Sequence, residues 1–190
     1  MKTIAFILFL CCTNLLFAQL HYDYIGKFNN HKAIVTKNGL YGMINDEGVE
    51  FVPVKYEYIG KFKKGIATVT KNGLYGMINE TGEEIVPAKY DFICKYKKGK
   101  AVVTKNGLYG MINETGEEIA LVKYEYIGKF KKGKAVVTKN GLYGMINETG
   151  EEIVLVKYDY IGKFKKGKAI VTRDGMQTII DEQGVELPLH

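Results

Sequence analysis

Three residue types in this 190-residue chain recur at spacings that could support chemistry. Lysines come in clusters: Lys61, Lys63 and Lys64, then Lys95, Lys97 and Lys98, then Lys129, Lys131 and Lys132, then Lys163, Lys165 and Lys166. If the copies stack, these clusters align into a basic ridge. Such a ridge attracts polyanions: acidic glycans, phosphorylated envelope lipids or an acidic protein face. The plainer reading is protective, since lysines on turns and strand edges block edge-to-edge pairing. Tyrosines form two series. Tyr41, Tyr75, Tyr109 and Tyr143 are each followed by glycine (Gly42, Gly76, Gly110, Gly144), and Tyr56, Tyr90, Tyr124 and Tyr158 keep the same step. Exposed rings at regular intervals would stack on sugars or peptides. A Tyr beside Gly on a strand more simply packs its ring on the neighbouring copy and leaves its hydroxyl at the rim. That second reading is preferred for the Tyr-Gly series, and both stay open for the other. Carboxylates pair at Glu83-Glu84, Glu117-Glu118 and Glu151-Glu152. Cleaving a glycosidic bond needs two carboxyls held at a fixed separation, whereas pairs copied in three units are expected as solvated turn edges.

Other chemistries lack their residues. The chain contains no serine, and its histidines, His21, His31 and His190, lie near the ends and are not repeated. No His pair has metal-ligand spacing. Gly-Leu-Tyr-Gly lacks the spacing of a phosphate cradle. The triplets beginning at Asn79, Asn113 and Asn147 match the glycosylation sequon, but turn chemistry accounts for them. Neither a catalytic residue nor a cofactor is expected. Cys94 sits where the other copies carry Gly26, Gly60, Gly128 and Gly162, which is read as drift at a tolerant position.

The elements that must position these groups come from one copied unit. Lys-Asn-Gly-Leu-Tyr-Gly-Met-Ile-Asn starts at Lys37, Lys71, Lys105 and Lys139, each 34 residues after the last, and a decayed copy starts at Arg173. Residues 101–134 differ from 135–168 only at Ala120 against Val154 and Glu125 against Asp159. Asn-Gly flanked by strand formers is a strong hairpin signal. It predicts strands over Ala101–Thr104 and Leu108–Ile112, a turn at Asn113–Gly116, and a third strand from Glu118 through the Lys-Tyr-Glu-Tyr-Ile segment. Lys131-Lys132-Gly133 makes the next turn. Pro53 and Pro87, replaced by Leu121 and Leu155 in later copies, mark an edge or bulge.

A unit this short is below the roughly 40 residues that fold alone without a metal or disulfide, so neighbours must complete its core. About fifteen strands exceed the ~10 that one open sheet usually carries. The expected fold is therefore all-β: tandem units of about three antiparallel strands, stacked as an open solenoid or superhelical array. A closed five-bladed propeller-like ring is the alternative.

At these residues the chain resembles the WG-repeat family. Gly76-Met77-Ile78-Asn79 through Pro87, with Lys89-Tyr90-Asp91, is similar to the motif Trp-Gly-Phe-Ile-Asp-x-x-Gly-x-x-Val-Ile-Pro-x-x-Tyr-Asp. Tyr41, Tyr75, Tyr109 and Tyr143 stand in place of the motif Trp. The resemblance implies a β-rich repeat array and brings no catalytic activity with it. A more distant similarity is to aromatic-glycine repeats of cell-wall and choline-binding modules, which would imply glycan binding.

Residues 1–18 have the form of a secretion signal: Lys2, an apolar run from Ile4, and Ala18 before Gln19. Cys11 and Cys12 would leave with it, and the repeat array would occupy 19–190, exported to the periplasm, cell surface or medium. The net charge of +6 is basic, but interleaved acids and export argue against nucleic acid. The expected function is a non-catalytic interaction or scaffolding platform with a protein partner. An envelope-glycan or polyanion binder using the lysine ridge is the first alternative, and an enzyme with a site in an inter-repeat groove is the last.

Overall fold

A computed structural model describes residues 22–188, all strands, bends and turns. Residues 1–18, expected as a secretion signal and including Cys11 and Cys12, lie outside the described residues, as do His21 and His190. The chain divides after Tyr90 into two compact units. The first holds sheet 1, made of β1 (Tyr24–Ile25), β2 (Lys32–Lys37), β3 (Leu40–Asn45) and β4 (Glu50–Tyr56). Sheet 2 follows with β5 (Tyr58–Ile59), β6 (Ile66–Lys71), β7 (Leu74–Asn79) and β8 (Glu84–Tyr90). The second unit holds sheet 3, with β9 (Phe92–Ile93), β10 (Lys100–Lys105), β11 (Leu108–Asn113) and β12 (Glu118–Tyr124). Sheet 4 has β13 (Tyr126–Ile127), β14 (Lys134–Lys139), β15 (Leu142–Asn147) and β16 (Glu152–Tyr158). Sheet 5 has β17 (Tyr160–Ile161), β18 (Lys168–Arg173), β19 (Met176–Asp181) and β20 (Glu186–Leu187). Each is an antiparallel meander in chain order, and none closes on itself among the described residues.

The count of about three strands per unit is thus corrected to four. The expected third strand breaks at one residue, Glu57, Asp91, Glu125 or Asp159, where the chain bends and passes to the next sheet. The acidic side chain at this bend has a local task. Glu125 accepts from the Asn140 and Gly141 amides at 2.9 and 3.1 Å, Glu57 from Gly73 at 2.9 Å, and Asp159 from Asp174 at 2.8 Å. The bend therefore caps the hairpin tip two strands later, where Asn140 and Gly141 both hold positive φ (51° and 73°) as a two-residue primed turn requires.

Tyr-Gly is explained by the strand opposite. β11 meets β12 at Tyr109↔Tyr124, Met111↔Ala120 and Ile112↔Glu118, so β12 bulges beside Gly110. A Cβ on Gly110 would lie 2.8 Å from the Ala120 carbonyl oxygen and 2.9 Å from the Val122 nitrogen. Only glycine fits there. Pro53, Pro87, Leu121 and Leu155 lie in this bulged stretch and are exposed, as the proline reading expects.

Both faces of the inner strand β15 are covered. Met145, Val154 and Tyr158 of sheet 4 pack on Ala169, Val171 and Ile180 of sheet 5. Ile146, next to Met145, joins Met111, Ala120 and Tyr124 of sheet 3. In the first unit Met43, Val52 and Tyr56 meet Ile59, Ala67, Val69 and Ile78. Adjacent residues of one strand thus serve two interfaces, the period-2 alternation of a strand buried on both sides.

Candidate interaction surface

The two tyrosine series differ in depth: Tyr41 and Tyr109 of the Tyr-Gly series pack against the core from its rim, and the series left open is the fully buried one. Tyr56, Tyr90, Tyr124 and Tyr158 are at most 1% exposed and are among the largest fully buried side chains. Tyr41, Tyr75 and Tyr109 are half-buried, and Tyr143 is 36% exposed. The members of each pair face one another across the sheet, Tyr143 against Tyr158, and the second member is the one fully buried.

The buried hydroxyls act as latches. Tyr56 donates to Glu84 Oε1 at 2.8 Å, Tyr124 to Glu152 at 2.9 Å and Tyr158 to Glu186 at 3.0 Å, each carboxylate belonging to the following sheet. The preceding lysine, Lys55, Lys123 or Lys157, donates to the same oxygen at 2.7, 2.8 or 3.0 Å. Glu84 and Glu152 are therefore inter-sheet ligands, not the free turn edges expected of them. Their neighbours Glu83, Glu117 and Glu151 do sit at the turn, accepting from the Asn79, Asn113 and Asn147 side-chain amides at 3.0, 3.1 and 2.7 Å. The sequon nitrogens are thereby occupied by turn chemistry.

Burial first, then donation to the Glu152 carboxylate, pushes the Tyr124 phenol up to about 12, and the same causes raise Tyr56 and Tyr158. The hydrogen bonds from Lys55 and Tyr56 hold Glu84 below the usual carboxylate range. Burial is the largest single influence on Glu152 and acts upward, but Lys123 and Tyr124 together outweigh it and leave it lowered. A raised phenol stabilises fully below its unfolded value and loses that contribution as pH rises through the folded one; a lowered carboxylate loses its contribution as pH falls through its folded value. Urea midpoints should therefore hold a plateau between about pH 5 and pH 10 and fall on both sides. Phenolate absorbance should show a late class near pH 12 that ionises together with unfolding. Ionisation of every tyrosine near pH 10 without unfolding would contradict the latches.

With the polar groups of the interior so engaged, no buried side-chain nitrogen or oxygen among the described residues lacks a partner. All twelve ridge lysines are exposed. Lys64, Lys98, Lys132 and Lys166 hold φ of 52°, 50°, 49° and 47°, in two-residue turns closed by bonds such as the Lys97 amide to the Lys100 carbonyl at 2.8 Å. Asn or Gly takes that conformation more easily than Lys, and Asn30 does so in the first copy (φ 48°).

A second exposed series was missed in the sequence. Tyr24, Tyr58, Phe92, Tyr126 and Tyr160 open the first strand of each sheet and are 49–60% exposed. In the four tyrosine copies the glycine two residues on lies beneath the ring: a Cβ on Gly128 would sit 3.3 Å from Tyr126 Cε1. The readable clue was a lone aromatic between an acidic residue and Ile-Gly-Lys, too short a run to fill a core strand. Among the described residues no three His, Cys, Asp or Glu side chains form a metal set, and no helix is long and apolar enough to cross a membrane.

The family model for the WG containing repeat matches residues 17–41, 41–75, 75–109, 109–143 and 143–176. The chain belongs to the WG-repeat family. The interior matches run from one Tyr-Gly to the next, so a WG repeat joins the second half of one sheet to the first half of the following one. In WG-repeat terms the glycine answers to the bulge on its partner strand and the Tyr-Asp end of the motif to the latch and the bend. No curated protein matches the chain. Among solved structures it is similar to Hsv2p of Kluyveromyces lactis (14% identity, 87% of this chain and 63% of that one, TM-score 0.34). It is also similar to the AfRom2 CNH domain (10%, 88% and 70%, TM-score 0.33). The chain spans 63% of Hsv2p, and TM-scores this low establish neither a shared shape nor a shared role.

Proposed function

We propose that this WG-repeat protein is a non-catalytic, exported interaction or scaffolding platform whose partner is another protein. The observation that carries the reading is the five-fold recurrence of one exposed aromatic per sheet, Tyr24, Tyr58, Phe92, Tyr126 and Tyr160, followed three residues later by Lys27, Lys61, Lys95, Lys129 and Lys163. Large exposed rings bring contact area at little entropic cost, and aromatic residues are favoured anchors in protein interfaces. The secretion-signal form of residues 1–18 supports export. A second reading, an acidic glycan or other polyanion on the lysine turns, is favoured by the left-handed lysines, kept in a conformation that costs free energy.

Salt separates the two. A ridge-only contact weakens steeply from low to moderate ionic strength, while an interface centred on buried rings does not. Immobilised full chain should retain a protein from envelope extract at both salt concentrations, and the Tyr126→Ser, Tyr160→Ser double variant should lose it. Retention by that variant, or complete loss at moderate salt, overturns the protein-platform reading. A sugar partner would instead quench the exposed tyrosine fluorescence.

A further inference from the structure

Sheets 3 and 4, both in the second unit, enclose an open cleft of about 630 Å³. Its floor is apolar: Ala101, Val102, Met111 and the Phe130 ring, with the Cys94 thiol beside them. Its walls are cationic: Lys95, Lys97, Lys98, Lys100 and Lys129, against one carboxylate, Glu148. Glu148 draws Lys100 to 3.5 Å and Lys98 to 3.9 Å. Lys95, Lys97 and Lys129 form no ion pair among the described residues. An apolar floor under unneutralised ammonium groups suits a ligand that is apolar at its centre and anionic on either side. One copy-specific substitution lines the site, and a second lies two residues on, outside the lining. Cys94 replaces a glycine and adds apolar surface, its thiol pushed up by burial and so kept neutral. Tyr96 replaces the Phe of the other copies and donates to the Asn113 carbonyl at 2.9 Å.

The charge pattern also separates an extended occupant from a compact one. Exposed Lys131 and Lys132 lie on the turn that follows Phe130, so the cationic surface continues beyond the cleft. A small amphiphile would leave these unused, whereas an extended chain engages them. We propose that the cleft seats an acidic peptide segment of the partner protein, with one apolar side chain on the Val102–Phe130 floor and flanking carboxylates on Lys97 and Lys129. This rests on the interaction-platform reading and names the chemistry of the partner.

The test uses the full chain and fluorescein-labelled peptides of alternating Glu and Gly around one central Leu, read by anisotropy. Replacing that Leu by Ala should weaken binding about tenfold. Lys97→Glu with Lys129→Glu should weaken it about tenfold or more, while Lys163→Glu with Lys165→Glu, outside the cleft, should change it less than about threefold. Glu148→Gln, which frees Lys98 and Lys100, should tighten it. Circular dichroism confirms that each variant is folded. Equal binding of the Leu and Ala peptides, equal losses from the two charge reversals, or absence of peptide binding overturns the proposal, as does binding of a fatty acid in place of the peptide. If the proposal fails while the extract partner is still retained through Tyr126 and Tyr160, the platform reading stands without it; if that retention fails too, both fall.

Discussion

Gly150→Ala should lower stability by about 3 kcal/mol, the sum of a left-handed backbone forced on a residue with a side chain and a collision that no side-chain movement relieves. Gly150 ends the turn that opens β16 and holds φ at +85°. A Cβ there would overlap the Ile119 carbonyl oxygen of sheet 3 and lie 2.9 Å from the Ala120 nitrogen. Both obstacles are backbone, so alanine must prise sheet 4 from sheet 3 or dismantle the turn. Gly141 is the matched control. Its φ is +73° with nothing within 4 Å of the added carbon, so Gly141→Ala should cost only about 1 kcal/mol. Urea midpoints followed by circular dichroism decide between them. Equal losses would mean that the turn does not seat against the preceding sheet.

Tyr124→Ala should cost about 3–5 kcal/mol, the range for removing a large buried ring from a core. The ring lies among Met111, Ala120, Ile127, Ala135, Val137 and Ile146, drawn from two sheets, so the cavity would open at their interface. Tyr124→Phe keeps the ring and loses the 2.9 Å donation to Glu152, which Lys123 still holds at 2.8 Å; about 1 kcal/mol is expected. Tyr109→Ala, on the half-buried partner, should cost less than Tyr124→Ala. The reverse order would make the Tyr-Gly series the deeper one.

That order is where the sequence says least. Tyr109 and Tyr124 are cross-strand partners, so alternation assigns them the same face and cannot rank their depth. Depth depends on how neighbouring sheets stack over each ring, which alternation does not encode. The bend at Glu125 was hidden for a similar reason. An acidic residue between Tyr124 and Tyr126 fits strand alternation, and only the passage to a new sheet and the cap on Asn140 and Gly141 reveal it as a corner. Turns were legible because their chemistry is local: Asn106 and Gly107 take positive φ as the dipeptide demands. So was exposure of the lysines, since the turns that carry them follow directly from Lys-Lys-Gly. The exposed Tyr126 row escaped because aromatic residues in a strand are ordinarily read as core. The cleft could not be read at all, because Cys94 and Phe130 meet there only through packing of two sheets.

Equilibrium urea unfolding of nested fragments of the second unit addresses mutual completion of the sheets most directly. Residues 91–190 should unfold cooperatively, removal of sheet 5 should lower the midpoint, and sheet 3 alone, residues 91–124, should give the circular dichroism of an unfolded chain without urea. A monomeric 91–124 fragment that melts cooperatively would contradict it.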